Sequence, residues 1–300
     1  MRAATLSVLI AAAAGAYGCT AVPPAPSAES TSPAARTEPV GARPAPLPPG
    51  TFQTSGEPTQ GGWLRGSAPV GTTRLTLDGQ RVELGNDGQF LIAFDRDAGP
   101  VARLVAERSD GSRVTQPLPV GKRAWRIEHI NAARRPGGAT EDFMAIRRPE
   151  LEAIAASRAR VTGAQGWRQK FVWPVKARIS GLFGSQRIYR GEPGAYHSGI
   201  DIAPGAGATY VAPADGVVVL AVEGYSLEGK LLIIDHGMGL NSAFLHSQKL
   251  LVKEGDRVSQ GQPIGLVGSS GRATGPHLHW SLKWQDARLD PLLFTGPMPD

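Results

Sequence analysis

The chain has 300 residues, a formal net charge of +6, 41% hydrophobic and 6% aromatic residues, and one cysteine, Cys19. Its length has room for two domains, and a single cysteine excludes any internal disulfide. The positive charge favours an anionic surface as partner.

Met1 and Arg2 precede an alanine-rich apolar stretch over 3–16, a core of about 14 residues that is too short to span a bilayer comfortably. This is the pattern of a secretory signal over 1–18, and export takes nucleic acid out of reach as a partner. Gly18-Cys19 resembles the bacterial lipobox, although Ala16 stands where leucine is usual and Tyr17 is bulky for its position. Ordinary cleavage after Ala16 or Gly18 is the alternative. Thr20 after the cysteine, where aspartate is absent, resembles an outer-membrane sorting signal, and several acyl chains on Cys19 would anchor the protein stably. Residues 19–50 are rich in proline, alanine, serine and threonine and read as an extended tether.

Over 51–130 short alternating runs recur: Leu75 and Leu77, Val82 and Leu84, then Phe90, Ile92 and Phe94, then 101–105. Asp-Gly pairs beginning at Asp78, Asp87 and Asp110 separate them. Alternation with turn residues between the runs predicts a small antiparallel β-sandwich. His129 has no histidine or cysteine neighbour, so no catalytic constellation is expected there. In the connector, 131–170, the spacing of Leu151, Ile154, Ala155 and Arg158 predicts a helix over 149–161 that begins near Pro149 and Glu150. Whether this connector covers a groove in the next domain is left open.

Five of the six histidines, His197, His236, His246, His277 and His279, fall in the remaining domain, 171–300. Neutral imidazole and carboxylate are the usual ligands of a catalytic zinc, which takes three protein ligands and keeps a fourth position open. In Pro-His-Leu-His-Trp, Leu278 alternates with His277 and His279, as in a half-buried strand. Residues two apart are separated by roughly 6.6 Å, so one imidazole can bind a metal while its neighbour hangs beside the open position. His197 and Asp201 share parity in an extended segment, Ile200 and Ile202 point into a core, and Gly199 leaves space for an ion. A helix is the rival geometry, but Gly199, Ile200, Ile202, Pro204 and Gly205 are poor helix formers. His236 closes the apolar run 231–234 and reads as structural or groove-lining. The short apolar runs 210–212, 217–222, 231–234 and 263–267 predict a mainly β domain with loops over a groove.

The motifs His-Ser-Gly-Ile-Asp-Ile from His197, Asp-His-Gly-Met-Gly from Asp235, Phe-Leu-His from Phe244, and Gly-Pro-His-Leu-His-Trp from Gly275 resemble the lysostaphin and LytM-like zinc endopeptidases, which cut peptide bridges in bacterial cell walls. The resemblance runs from about Phe171 to Phe294. It implies a mainly antiparallel-β catalytic domain with zinc as cofactor, metal ligands at His197, Asp201 and His279, and non-ligand catalytic histidines at His246 and His277. Phe244 stands where that family often has tyrosine, and Ser247 where leucine is common. The implied substrate is peptidoglycan, the implied activity that of a D,D-endopeptidase in wall remodelling, and the implied location the periplasm, on the outer membrane through Cys19. Two rivals stand beside it. One is a non-catalytic regulator that activates wall amidases, as do some relatives that have lost metal ligands; the other is a plain tether between membrane and wall. A regulatory protein partner is left open.

Overall fold

In a computed structural model that describes residues 50–133 and 140–299, the Asp-Gly pairs sit where the chain reverses. The leader, Cys19 and the tether expected over 19–50, apart from Gly50, lie outside the described residues. Seven strands come first: β1 (Gln53–Glu57), β2 (Trp63–Ser67), β3 (Thr72–Leu77), β4 (Gln80–Val82), β5 (Gln89–Ala93), β6 (Val101–Arg108) and β7 (Arg113–Pro119). Asp78 and Gly79 join β3 to β4 with φ of 49° and 85°, the positive values that a two-residue hairpin turn needs to match strand twist. The strands form two antiparallel sheets, ordered β1-β2-β5 and β4-β3-β6-β7. Alternation along β6 buries Ala102, Leu104 and Ala106 and leaves Val101 exposed, the period-2 pattern of a sandwich with one wet face.

This sandwich shares a hydrophobic core with the second half of the chain. Trp63 packs on Phe294 at 5.2 Å between ring centroids and donates its indole N–H to the Leu293 carbonyl at 3.0 Å. Arg123 pairs with the buried Asp290 at 2.7 Å. β8 (Ile127–Ile130), which carries the exposed His129, then runs parallel to a strand of that second half.

The connector helix α1 spans Glu141–Arg158, so it begins eight residues before Pro149. Thr140 caps it, its Oγ1 accepting from the Phe143 N–H at 3.2 Å, and Glu141 and Asp142 complement the first turn. Pro149 removes one N–H from the helix interior, and ion pairs hold the helix across that gap. The expected apolar stripe is also incomplete: Leu151 is exposed, and Ile154 alone of the apolar pair packs against the sheet. What seats α1 is charge. Arg147 reaches both carboxylate oxygens of Glu228 at 2.6 and 2.7 Å and Glu150 at 2.8 Å, while Glu150 accepts from the N–H and hydroxyl of Ser226 at 2.7 and 2.6 Å.

The remaining elements are β9 (Ile179–Gly181), β10 (Gln186–Tyr189), β11 (Glu192–Pro193), β12 (Ile200–Ile202), β13 (Thr209–Val211), β14 (Gly216–Tyr225), β15 (Gly229–Gly237), β16 (Leu240–Ser247), β17 (Lys249–Leu250), β18 (Arg257–Val258), β19 (Pro263–Leu266), β20 (Leu278–Trp284), β21 (Ala287–Leu289) and the short α2 (Leu292–Thr295). The main sheet is antiparallel, ordered β18-β14-β15-β16-β20-β12-β9 with β21 beside β20. Its cross-strand rows assign the two faces. Ile200, Trp280 and Phe244 lie opposite one another and are fully buried, so that face is core. Asp201, His279 and Leu245 form the adjacent row on the other face, and α1 packs on β14 and β15 against the cluster that Leu231, Ile233, Ala243 and Leu245 help to form.

His236 is structural, as its place at the end of an apolar run suggests. Its Nδ1 donates to the Asp215 carbonyl at 2.8 Å, its Nε2 accepts from Ser242 Oγ at 2.7 Å, and its ring meets Phe171 at 4.9 Å. Burial lowers its pKa to about 4.

Two consequences are testable. The unfolded chain binds a proton at His236 below its ordinary value of about 6.5 while the folded chain resists it. The stability from the neutral ring is therefore complete above that pH and is lost as pH falls toward 4, on the order of 3 kcal/mol in all. Urea unfolding at stepped pH should show this slope, and His236→Gln should flatten it. Arg147→Ala would leave the buried Glu150 and the partly buried Glu228 without their cation and is expected to cost about 3 kcal/mol, read in the same unfolding experiment.

Candidate metal centre

The sheet brings His197, Asp201 and His279 to one point. Their donor atoms all lie within 4.8 Å of one another. Asp201 is on β12 and His279 faces it directly on β20; His197 arrives from the loop before β12, whose backbone N–H donates to Ser185 O at 2.8 Å. His197 Nε2 is 3.0 Å from Asp201 Oδ1 and 3.0 Å from His279 Nδ1, and His279 Nδ1 is 2.9 Å from the same carboxylate oxygen.

Two glycines make room for this contact. A side chain at Gly199 would strike the Trp280 carbonyl and His279 Nε2, at 2.5 and 2.8 Å from a Cβ, so what its missing side chain permits is close approach to β20. Gly181, on β9, was not singled out by the sequence; a Cβ there would stand 2.3 Å from Asp201 Oδ2 and 3.1 Å from His197 Cε1. Only the pairing of β9 with β12 brings the two together.

The donor set fits a cation. His197 Nδ1 faces the Leu182 carbonyl at 3.1 Å; a carbonyl only accepts, so that nitrogen carries the proton and, in the neutral ring, Nε2 does not. Nε2 then presents a lone pair to a carboxylate, and at most one of the two nitrogens that meet between His197 and His279 can hold a proton. Three acceptors are thus held together with too few protons among them. The separations near 3 Å approximate the edges of a tetrahedral shell with bonds of about 2.0–2.1 Å to imidazole nitrogen. The titration shifts express the same crowding. Burial opposes ionisation of Asp201, yet the adjoining imidazoles of His197 and His279 outweigh it and hold its carboxyl well below the usual carboxylate range. Burial likewise opposes charge on His197, but Asp201 raises its pKa. Burial lowers that of His279, with Asp201 acting in the opposite sense.

His246 and His277 stand beside the three. The His246 ring centroid is 4.9 Å from that of His277 and 6.3 Å from that of His279, and His277 Nε2 is 3.7 Å from Asp201 Oδ1. In both rings Nδ1 donates to a carbonyl at 2.8 Å, Ser270 O for His246 and Gly275 O for His277. Each therefore keeps an unprotonated Nε2 when neutral. Burial lowers the pKa of His246, and its backbone sits at φ 66°, the left-handed region that costs energy for a residue with a side chain. The Glu228 carbonyl accepts its backbone N–H at 2.9 Å, so the hairpin that Arg147 ties to α1 also holds this histidine. His129 is on β8, paired with β10, and is not among these residues. The side chains of His197, Asp201 and His277 are 25%, 23% and 17% exposed, so solvent reaches the site.

Residues 195–291, which contain all five of these side chains, match Peptidase family M23. Over 115 residues the chain is 40% identical to peptidoglycan DD-endopeptidase ShyA of Vibrio cholerae, covering 38% of this chain and 26% of that one. Over 129 residues it is 36% identical to a lipoprotein NlpD/LppB homolog of Pseudomonas aeruginosa, covering 43% and 39%. The chain thus spans about a quarter to two-fifths of the length of these curated relatives. A crystal structure described as a peptidase M23 from Pseudomonas aeruginosa superposes with a TM-score of 0.62 at 28% identity, covering 81% of this chain and 96% of that one. Residues 195–291 are thus similar to peptidase family M23.

Proposed function

We propose that this chain is a zinc-dependent endopeptidase that hydrolyses peptide cross-links in bacterial peptidoglycan, as a D,D-endopeptidase. The observation that carries the reading is the meeting of His197, Asp201 and His279 around one point, with two further imidazoles beside it. His197, Asp201 and His279 would hold the ion. Zinc bound there supplies a water acidic enough to attack at neutral pH and a Lewis acid for the scissile carbonyl.

The rest is the work of the chain. His246 and His277 present basic Nε2 atoms fixed by their Nδ1 bonds to backbone carbonyls, and between them they take the proton of the attacking water and return it to the leaving amine. Burial keeps His246 neutral and ready as a base. The charge of +6 suits an anionic wall polymer, and the similarity to a DD-endopeptidase favours a cross-link between stem peptides as the bond. We assign the protein to the periplasm, with Cys19 as its lipid anchor in the outer membrane.

A second reading, a non-catalytic regulator of other wall hydrolases, is favoured by the similarity to an NlpD-type lipoprotein. Retention of all three candidate ligands and both flanking histidines counts against it.

The decisive experiment incubates the zinc-loaded protein with isolated peptidoglycan and analyses the fragments by mass spectrometry. Cross-linked dimers should disappear with the wild type and persist with His279→Ala, which should also lose its zinc. Intact dimers with fully zinc-loaded wild type would transfer the reading to the regulator. His246→Ala and His277→Ala should each lower kcat by about 10²–10⁴-fold while zinc content stays unchanged. Because protonation of His246 removes the base, and burial has lowered its pKa, the acid limb of kcat/KM should fall below the ordinary histidine value of about 6.5. An acid limb above that value would remove His246 as the titrating base.

A further inference from the structure

A second feature lies on the same face of the main sheet as the histidines, outside the 195–291 match for its most telling residues. Asp235, Asn241 and Lys283 form a cross-strand row on β15, β16 and β20. Lys283 is four residues beyond His279, and Asn241 four before Leu245, so parity puts this row on the face of the metal-ligand candidates, about 13 Å along the strands. At this end the C-terminal turn of α1 and the loop after it close over the sheet and enclose a cavity of about 380 Å³, within the range of small-ligand pockets.

Of the four buried side-chain nitrogens that have no hydrogen-bond partner among the described residues, two belong to residues lining this cavity: Arg158 Nη1 and Trp167 Nε1. The other two are the Nε atoms of Arg65 and Arg96, whose guanidinium groups are satisfied through their other nitrogens. An unmatched buried donor costs about 1–3 kcal/mol, more when charged. The cavity's own acids do not answer the two donors. Asp235 already accepts from the N–H and hydroxyl of Thr162 and from the Gly237 N–H, with Asn241 at 3.4 Å. Asp286 pairs with Lys283 at 3.3 Å. Glu83 is exposed at the rim. Burial lowers the pKa of Arg158 to about 10, so its guanidinium is still charged at neutral pH.

We propose that this cavity is a subsite for a carboxylate of the peptide substrate, bound by the guanidinium of Arg158 and the indole N–H of Trp167. A planar guanidinium matches a carboxylate fork to fork, and the indole supplies a further donor. The separation from the histidines is that of four residues of extended peptide, so a strand lying along β20 reaches both places. The inference rests on the peptidase reading for the identity of the ligand, and it assigns that enzyme a requirement for an acidic group remote from the cleaved bond. The carboxylate belongs either to a chain terminus or to a side chain.

The test observes Trp167 directly. Full-length ¹⁵N-labelled protein carrying His279→Ala, to prevent turnover, is titrated with N-acetyl-tetraalanine, with its C-terminal amide, and with an amidated analogue ending in glutamate. The Trp167 indole resonance is assigned by its loss in Trp167→Phe. The resonance should move with a carboxylate-bearing peptide and not with the tetraalanine amide, and binding should weaken by about tenfold or more with Arg158→Gln, as expected for loss of a charged hydrogen bond. Which acid moves it identifies the source of the carboxylate. No movement, equal movement with the amide, or unchanged affinity in a folded Arg158→Gln protein would overturn the proposal; should that variant fail to fold, the acid and amide comparison decides alone. Cross-link cleavage by the wild type without a Trp167 shift would sink this inference and leave the peptidase standing. A shift without cleavage would do the reverse.

Discussion

Three electron-pair donors forced within about 3 Å of one another define this fold's central constraint. Left to themselves, an imidazole lone pair, a second imidazole and a carboxylate would separate or gather protons. The sheet prevents the first. Ile200, Trp280 and Phe244 lock β12, β20 and β16 together on the core face, which fixes Asp201 and His279 one residue away on the other side. Gly181 and Gly199 let the backbones approach closely enough for the contact to form. The interior stack continues through Tyr210, whose ring lies 5.4 Å from that of Phe244 and whose hydroxyl bonds Ser247 at 2.7 Å. The two departures from the family pattern, Phe244 and Ser247, thus meet on the same tyrosine.

A second layer of order governs His246. A residue with a side chain is held at positive φ, and the restraint comes from its Nδ1 bond to Ser270, from its N–H bond to the Glu228 carbonyl, and, one step further out, from the ionic contact between Glu228 and Arg147. The helix is therefore coupled to His246 through a hairpin.

The β character, the hairpin turns and the grouping of the histidines were legible in the sequence because each rests on a local rule: period-2 burial, Asp-Gly at a two-residue turn, and imidazole parity along 277–279. The start of helix α1 was not, because Pro149 looks like a boundary while Thr140, Glu141 and Asp142 supply the real one. Its seating by Arg147 and Glu150 was equally hidden, since a buried ion pair has no periodic signature. Gly181 and the pairing of Arg158 with Trp167 around one cavity depend on strand order and loop closure, which no local spacing encodes.

The docking of the first sandwich has a consequence for how the protein unfolds. Trp63 rests on Phe294, Phe294 on Phe171, and Phe171 on His236 in the interior of the main sheet, while Arg123 neutralises Asp290 from the sandwich side. Ring-to-ring continuity of this kind couples the two halves, since each covers apolar surface of the other. The second half therefore relies on the sandwich to cover part of its apolar surface. Cut free at residue 171 it would carry an exposed aromatic face and an unpaired buried aspartate, and the strand geometry that keeps His197, Asp201 and His279 together would lose part of its support.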